Sequence, residues 1–412
     1  MTPAEVVLVG AGALFLVAVV SGRLERAWLT EPLLATALGL LAGMLVTGSV
    51  DVESPLILTV LELTLALVLF SDASRIDVTR LRAGYNWPLR MLVLGLPLAV
   101  ILGAGFAGWY LSLPLGTALL VGVVLAPTDA ALSEPILRAE SVPTRVRQTL
   151  NVESGLNDGL AVPILLIAIG IIDAEGRSTP LASVALVFSQ LGIGIVGGVV
   201  VGWLGAVLIG KGTRTGWVNP LHQRIAAVAL AVAGFSATQL LGGSGFVTAF
   251  IAGALMSWLI RPHSEHLYQF AETEGHTLVL VAFFIFGAGP GAELIGRGLP
   301  VEGLVVAAIS LLLLRPLAIA LSLAGEGLNR RTVVFLGWFG PRGLATMVFM
   351  LVALEELGGF DPLVRDTVTV TVLLSVVAHG LTAVPMSRWL AGLAVTEDMP
   401  EMGDAFAHPT RR

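Results

Sequence analysis

The 412-residue sequence contains no cysteine, and only 13% of its residues are charged. Without cysteine there are no disulfides and no thiolate-held metals. A soluble domain carries about 25% charged residues. With half that, the chain has too little charge to face water over most of its surface. A basic leader is also missing. The opening MTPAEVVLVGAGALFLVAVVSG holds Glu5 and no basic residue at its start, so it reads as a first membrane span rather than a signal peptide. What is present is apolar: 56% of the residues are hydrophobic. Runs of about 18 or more apolar residues recur, each long enough to cross a bilayer as a helix. They are continuous rather than alternating, which excludes a membrane β-barrel. The fold class is therefore an all-α polytopic membrane protein, with the lipid bilayer as its partner and no nucleic acid expected.

Apolar runs bounded by Gly, Pro or charge give about thirteen transmembrane helices: 4–21, 32–49, 55–71, 87–111, 115–135, 146–172, 182–210, 223–241, 246–260, 276–291, 301–325, 332–355 and 364–391. Basic residues gather in alternate loops. Arg23 and Arg26 follow the first span, Arg75, Arg80 and Arg82 the third, and Arg138, Arg145 and Arg147 the fifth. Lys211, Arg214 and Arg224 flank the loop after the seventh, and Arg330 and Arg331 the loop after the eleventh. The intervening loops are acidic or nearly uncharged. Cytoplasmic loops collect Lys and Arg, so the N-terminus is expected outside and the short polar tail from Ala394 inside. Spans 1–6 and 8–13 match in number about a single crossing. That predicts two inverted six-helix repeats, a common transporter architecture.

Two spans carry breaks at equivalent places. Span 5 contains LAPTDAALSEP, with Pro127, Thr128 and Asp129 near its middle. Span 12 contains GWFGPRGLATM, with Gly340, Pro341, Arg342 and Gly343. Proline removes a backbone donor and clashes with the preceding turn. Taken alone, each could be a simple kink. An ionisable residue at both breaks favours discontinuous helices that form a substrate site.

The stretch NVESGLNDGL sets Ser154 and Asp158 four residues apart on one helical face, and Glu153 and Asn157 on the neighbouring face. An intramembrane charge is costly and usually marks function. Burial favours the protonated form of a carboxylate, so a buried Asp can hold either a proton or a cation. Hard cations take oxygen ligands. Asp158 and Ser154, beside Thr128 and Asp129, are the candidate set for Na⁺ and H⁺. Glu153 is better suited to an arginine partner, with Arg315 and Arg342 available. Glu62, a lone acid in LTVLELTLALVLF, either lines the ion path or packs as a protonated glutamate. His379 in VVAHGLTAVP either packs or shuttles protons.

These residues carry a likeness. LAPTDAALSEPIL followed by NVESGLNDG resembles the monovalent cation/proton antiporter superfamily, and within it the NhaP-type sodium/proton exchanger branch. RPLAIAL, FGPRGLATM and HGLTAVPM fit as well, so the likeness runs from about residue 30 to 392. It implies a homodimer in a prokaryotic inner (cytoplasmic) membrane, with crossed discontinuous helices in spans 5 and 12. A dimerisation domain would comprise 1–86 and 223–300, and a core ion-transport domain 87–172 and 301–392. Residues 173–222 would be a linker helix and 393–412 a short cytoplasmic tail. It further implies Asp158 as the ion- and proton-binding carboxylate, with Thr128, Asp129 and Ser154 beside it. Asn157 before Asp158 marks the electroneutral branch. Glu153, Arg315 and Arg342 would form a structural charge network, and Glu62 would fit a third-span acid used by some members. One departure is that Pro127 precedes Thr128, where the family often has Asp-Pro after the threonine. The expectation is an electroneutral Na⁺/H⁺ antiporter serving pH and sodium homeostasis, with no cofactor beyond the transported ions. K⁺/H⁺ exchange on the same fold, with Li⁺ as a further possible ion, is the nearest rival. An intramembrane aspartyl protease and a channel are remoter ones.

Overall fold

The computed structural model describes residues 3–24, 29–45, 52–75, 86–176, 180–260, 265–359, 361–392 and 401. Arg26, Arg80, Arg82 and the tail from Ala394, Glu401 excepted, lie outside the described residues. The described residues form helices and no strand. In chain order these are α1 (Pro3–Leu24), α2 (Glu31–Leu45), α3 (Pro55–Ser74), α4 (Asn86–Tyr110), α5 (Leu115–Val124), α6 (Ala130–Arg138), α7 (Thr144–Gly176) and α8 (Pro180–Arg214). They continue with α9 (Pro220–Leu240), α10 (Gly245–Ile260), α11 (265–297), α12 (Val301–Ser322), α13 (Arg330–Trp338), α14 (Leu344–Leu357) and α15 (Pro362–Ala391).

Seven of these are long and apolar enough to cross a membrane: α3, α4, α7, α8, α11, α12 and α15. Four shorter apolar helices accompany them, within α1, α2, α5 and α10. The members of two consecutive pairs are each too short to cross alone. α5 and α6 have 10 and 9 residues, and α13 and α14 have 9 and 14.

Proline shapes the long helices. α12 widens into one π-helical turn at Ser310–Leu314, immediately before Arg315 and Pro316. The proline ring offers no N–H, and the extra residue of a π turn absorbs the mismatch. The same device recurs at Met91–Gly95 in α4, ahead of Pro97, and at Gly287–Gly291 in α11, around Pro290. In α12 it sets the angle at which Arg315 enters the protein interior.

The core is formed where α3, α5, α7, α10, α11, α14 and α15 pack, through side chains such as Leu65, Leu69, Val123, Val162, Phe283, Phe349 and Val372. The outer faces are apolar as well. On α8, Leu181, Phe188, Val196 and Trp203 are exposed. In water such a face would be a liability, and in a bilayer it is the solvated surface.

A buried carboxylate at the crossing of two interrupted helices

The two interruptions meet. Residues 125–129 separate α5 from α6, and residues 339–343 separate α13 from α14. Where they cross, the Asp129 N–H donates to the Pro341 carbonyl at 2.8 Å. Four helix ends therefore point at one place, and each needs hydrogen-bond partners. Asp129 supplies two of them. Its Oδ1 accepts from Ala131 N at 2.8 Å, capping α6, and its Oδ2 accepts from Leu344 N at 2.7 Å, capping α14. Arg342 serves the opposite polarity. Its Nη1 donates to the carbonyls of Ala126 at 2.6 Å and Pro127 at 2.8 Å, just past the C-terminus of α5. A negative group thus sits at two N-termini and a positive one at a C-terminus, as the helix dipoles favour.

Glycine is required here for space. A Cβ at Gly343 would overlap the Asp129 carboxylate, and one at Gly340 would overlap the Arg315 guanidinium. Beyond the crossing, α15 holds the second interruption: Ser375 Oγ accepts from Arg342 N at 2.6 Å, and His379 Nε2 lies 2.9 Å from the Trp338 carbonyl. His379 is buried and occupied by these backbone contacts.

α7 brings the remaining side chains. Glu153, Ser154, Asn157 and Asp158 are all buried. Glu153 and Asn157 turn to one network. Arg315 Nη2 lies 3.2 Å from both Glu153 carboxylate oxygens. The Thr128 hydroxyl donates to Glu153 Oε2 at 3.2 Å, and the Asn157 amide donates to Thr128 Oγ1 and to Glu153 Oε1. Of the two candidate arginines, Arg315 therefore pairs with Glu153, while Arg342 serves backbone carbonyls. A buried ion pair is tolerable when its remaining lone pairs find donors, and Thr128 and Asn157 provide them.

Asp158 faces elsewhere. It is 7% exposed, forms no ion pair among the described residues, and its Oδ1 has no hydrogen-bond partner. It borders a cavity of about 420 Å³ that also reaches Asp129 and runs out past Gln148 and Arg147 to the exposed Asn151, Thr144 and Arg138. Asp72 of α3 lines the same cavity, and Glu134, Arg138 and His276 stand along it as well. Gly155 lets Asp72 approach α7, since a Cβ there would lie 3.1 Å from Asp72 Cβ. Asp158, Asp129 and Asp72 repel one another when ionised, and a proton or a cation among them relieves that repulsion. They do not form a ready-made cage, for no three acidic or histidine side chains among the described residues are close enough to hold a metal ion.

The remaining candidates are placed differently. Ser154 is buried, with its hydroxyl donating to the Leu150 carbonyl at 2.8 Å, and does not line the cavity. Thr128 spends its hydroxyl on the Glu153 network. Glu62 does not line the cavity either. It lies near Gln239, Glu355 and Glu356, ten residues or about 15 Å along α3 from Asp72. Asp72 was missed in the sequence because the third span was ended at residue 71. Its signal was the acid one position beyond that boundary.

Comparison with known proteins shows the family and the fold. A family model described as "Sodium/hydrogen exchanger, transmembrane" matches residues 11–389. The K(+)/H(+) antiporter NhaP of Alkalimonas amylolytica is 27% identical over 387 residues, covering 92% of this chain and 66% of the relative. The K(+)/H(+) antiporter NhaP2 of Shewanella sp. (strain MR-4) is 29% identical over 330 residues, covering 77% of this chain and 55% of the relative. The chain thus spans about half to two thirds of the length of these curated relatives. Among solved structures, the sodium proton antiporter MjNhaP1 from Methanocaldococcus jannaschii superposes with a TM-score of 0.75 at 21% identity, covering 95% of this chain and 100% of that one.

Proposed function

This chain belongs to the sodium/hydrogen exchanger family, and from that premise we propose that it is a secondary transporter exchanging one monovalent cation for one proton at Asp158. The family is one of transporters, and no enzymatic step is assigned. The observation that carries the reading is Asp158 itself: a buried carboxylate that forms no ion pair among the described residues, with an unengaged oxygen beside the cavity. A site of that kind accepts a proton or a cation but not both. Alternation between them at one carboxylate moves one charge each way, so the cycle is electroneutral. A potential of 100 mV, which would supply ~2.3 kcal/mol per net charge moved, then drives nothing.

We assign the cation to Asp158, with Asp129 and Asp72 contributing charge; Ser154 and Thr128 stand back from the cavity and would offer oxygens only to an ion drawn in behind Asp158. Because the Thr128 hydroxyl is engaged, its backbone carbonyl is the oxygen it can offer. Asn157, Glu153 and Arg315 hold the neighbouring scaffold rather than the ion.

In the membrane, α5 with α6 and α13 with α14 would each count as one interrupted crossing. With the other eleven helices that makes thirteen spans, in two inverted six-helix halves joined by α8. In a prokaryotic inner membrane, the distribution of basic loops favours an N-terminus outside and a tail in the cytoplasm, and the Asp158 cavity would then open inward. The core spans 4–6 and 11–13 would move against spans 1–3 and 8–10, the latter forming the interface of a homodimer.

Na⁺ is the cation we propose. K⁺ is the second reading, favoured by the names of the curated relatives. The test is dissipation of a proton gradient in vesicles containing the purified protein, with Na⁺, Li⁺ and K⁺ added in turn. Exchange that survives Asp158→Asn, or that depends strongly on an imposed potential, rejects the single-site mechanism.

A further inference from the structure

The side of the bundle away from Asp158 is closed by charge. His276, at the cavity, and Arg297 stand 21 positions apart on α11, which is about 30 Å of helix. Likewise Glu53 precedes α3 while Asp72 lies near its C-terminus. At that far end Arg297 and Asp366 form a two-pronged pair, with Nη2–Oδ1 at 3.1 Å and Nη1–Oδ2 at 3.3 Å. Arg365 stands beside it, 3.7 Å from Glu293, 3.8 Å from Glu53 and 3.8 Å from Asp366. Beneath these contacts is a separate cavity of about 230 Å³, reaching Met350 and Leu354 of α14.

The pairs join two different parts of the fold. Arg365 and Asp366 open α15, the helix whose Ser375 and His379 are bonded to Arg342 and Trp338 at the crossing. Arg297 and Glu293 end α11, which packs mainly on α2 and α3 and meets α15 only along residues 287–297. Any movement of the crossing relative to α11 must therefore stretch these contacts.

We propose that the Arg297–Asp366 pair, with Arg365, is a lock that holds the bundle closed on the face opposite the Asp158 cavity. The inference rests on the exchange reading, because only alternating access requires that face to open. A planar guanidinium–carboxylate pair has a defined geometry and releases over a short separation. Partly exposed pairs are individually weak. That is what a reversible lock needs, since two states that interconvert during transport differ little in free energy and a small bias sets their populations.

The absence of native cysteine makes the test clean. Single cysteines are placed at Ala131, lining the Asp158 cavity, and at Leu354, lining the smaller one, and labelled from each side with a membrane-impermeant maleimide. In Arg297→Glu, labelling at position 131 is expected to slow about two- to fivefold and labelling at position 354 from the opposite face to speed up similarly. The exchanged pair Arg297→Asp with Asp366→Arg is expected to restore both rates. Asp366→Asn, which keeps side-chain volume, gives the same shift if the charge reversal does not fold. Unchanged labelling in both Arg297→Glu and Asp366→Asn, or no recovery in the exchanged pair, overturns the lock. Labelling needs no transport, so the lock can fail while Asp158-dependent exchange stands, and the reverse.

Discussion

The carboxylate of Asp129 and the N–H of Leu344, 215 positions apart in the chain, meet at 2.7 Å, while the other oxygen of the same carboxylate caps its own helix. One side chain thereby begins two half-helices. Asp129→Asn retains a single acceptor and must abandon one of them. Losing a cap costs about 1 kcal/mol, so the variant should show a lower apparent melting temperature together with reduced exchange. An unchanged melting temperature would mean that the second cap contributes nothing.

Space at the crossing gives a sharper contrast. Gly343→Ala and Gly340→Ala press a methyl group into the Asp129 carboxylate and the Arg315 guanidinium. Overpacking of this kind costs about 1–3 kcal/mol, and transport should fall with it. Gly12 has nothing within 4 Å of a built Cβ. Gly12→Ala should be neutral or stabilise by up to about 1 kcal/mol, from helix propensity alone. Thermal unfolding of the three variants in detergent compares them directly.

Glu153 and Arg315 should behave as one unit. Glu153→Leu or Arg315→Met alone leaves a buried charge uncompensated, at about 3–5 kcal/mol. The double variant Glu153→Leu with Arg315→Met removes both charges and should recover much of that loss. Additive destabilisation across the cycle would show that the two side chains are energetically independent.

Asp72 and Glu62 lie on the same helix but should separate in function. Asp72→Asn removes negative charge from the Asp158 cavity and should weaken apparent cation affinity about three- to tenfold, which corresponds to about 0.7–1.4 kcal/mol. Glu62→Gln should leave that affinity within about twofold. The readout is the cation concentration for half-maximal exchange. Reversed effects would move the ion path to the Glu62 side.

Competition fixes a pH dependence whose sign can be worked out. If a proton and a cation share one carboxylate, more cation requires more acid to displace it. Raising the cation tenfold should lower the pH of half-maximal activity by about one unit. Exchange measured across pH at several cation concentrations gives the slope, and a midpoint that does not move rejects a shared site.

Much of this site could be read from residue types and spacing. The breaks at Pro127 and at Gly340–Gly343 follow from what proline and glycine do to a helix, and the structure interrupts the chain at both. The i, i+4 spacing separated Asp158 from Glu153, and the structure sends them to different surroundings. Spacing could not choose between Arg315 and Arg342, because that depends on a π turn in one helix and an extended strand from another. Nor could it show that the Thr128 hydroxyl is already spent, since a rotamer is decided by neighbours distant in sequence. Glu62 drew attention because it stands alone in an apolar run. Asp72 did not, because it sits where hydrophobicity fades, and only the packing of α3 on Gly155 carries it to the cavity.

The crossing also constrains how the protein can be made. Asp129 leaves the ribosome more than 200 residues before Leu344, and Ala126 waits as long for Arg342. During synthesis the first interrupted helix pair must therefore wait with unsatisfied polar ends. The heart of the molecule is assembled last, when the second crossing arrives carrying the complementary groups. A chain stalled before residue 342 would have most of its helices and no centre, and should be a ready substrate for membrane proteolysis.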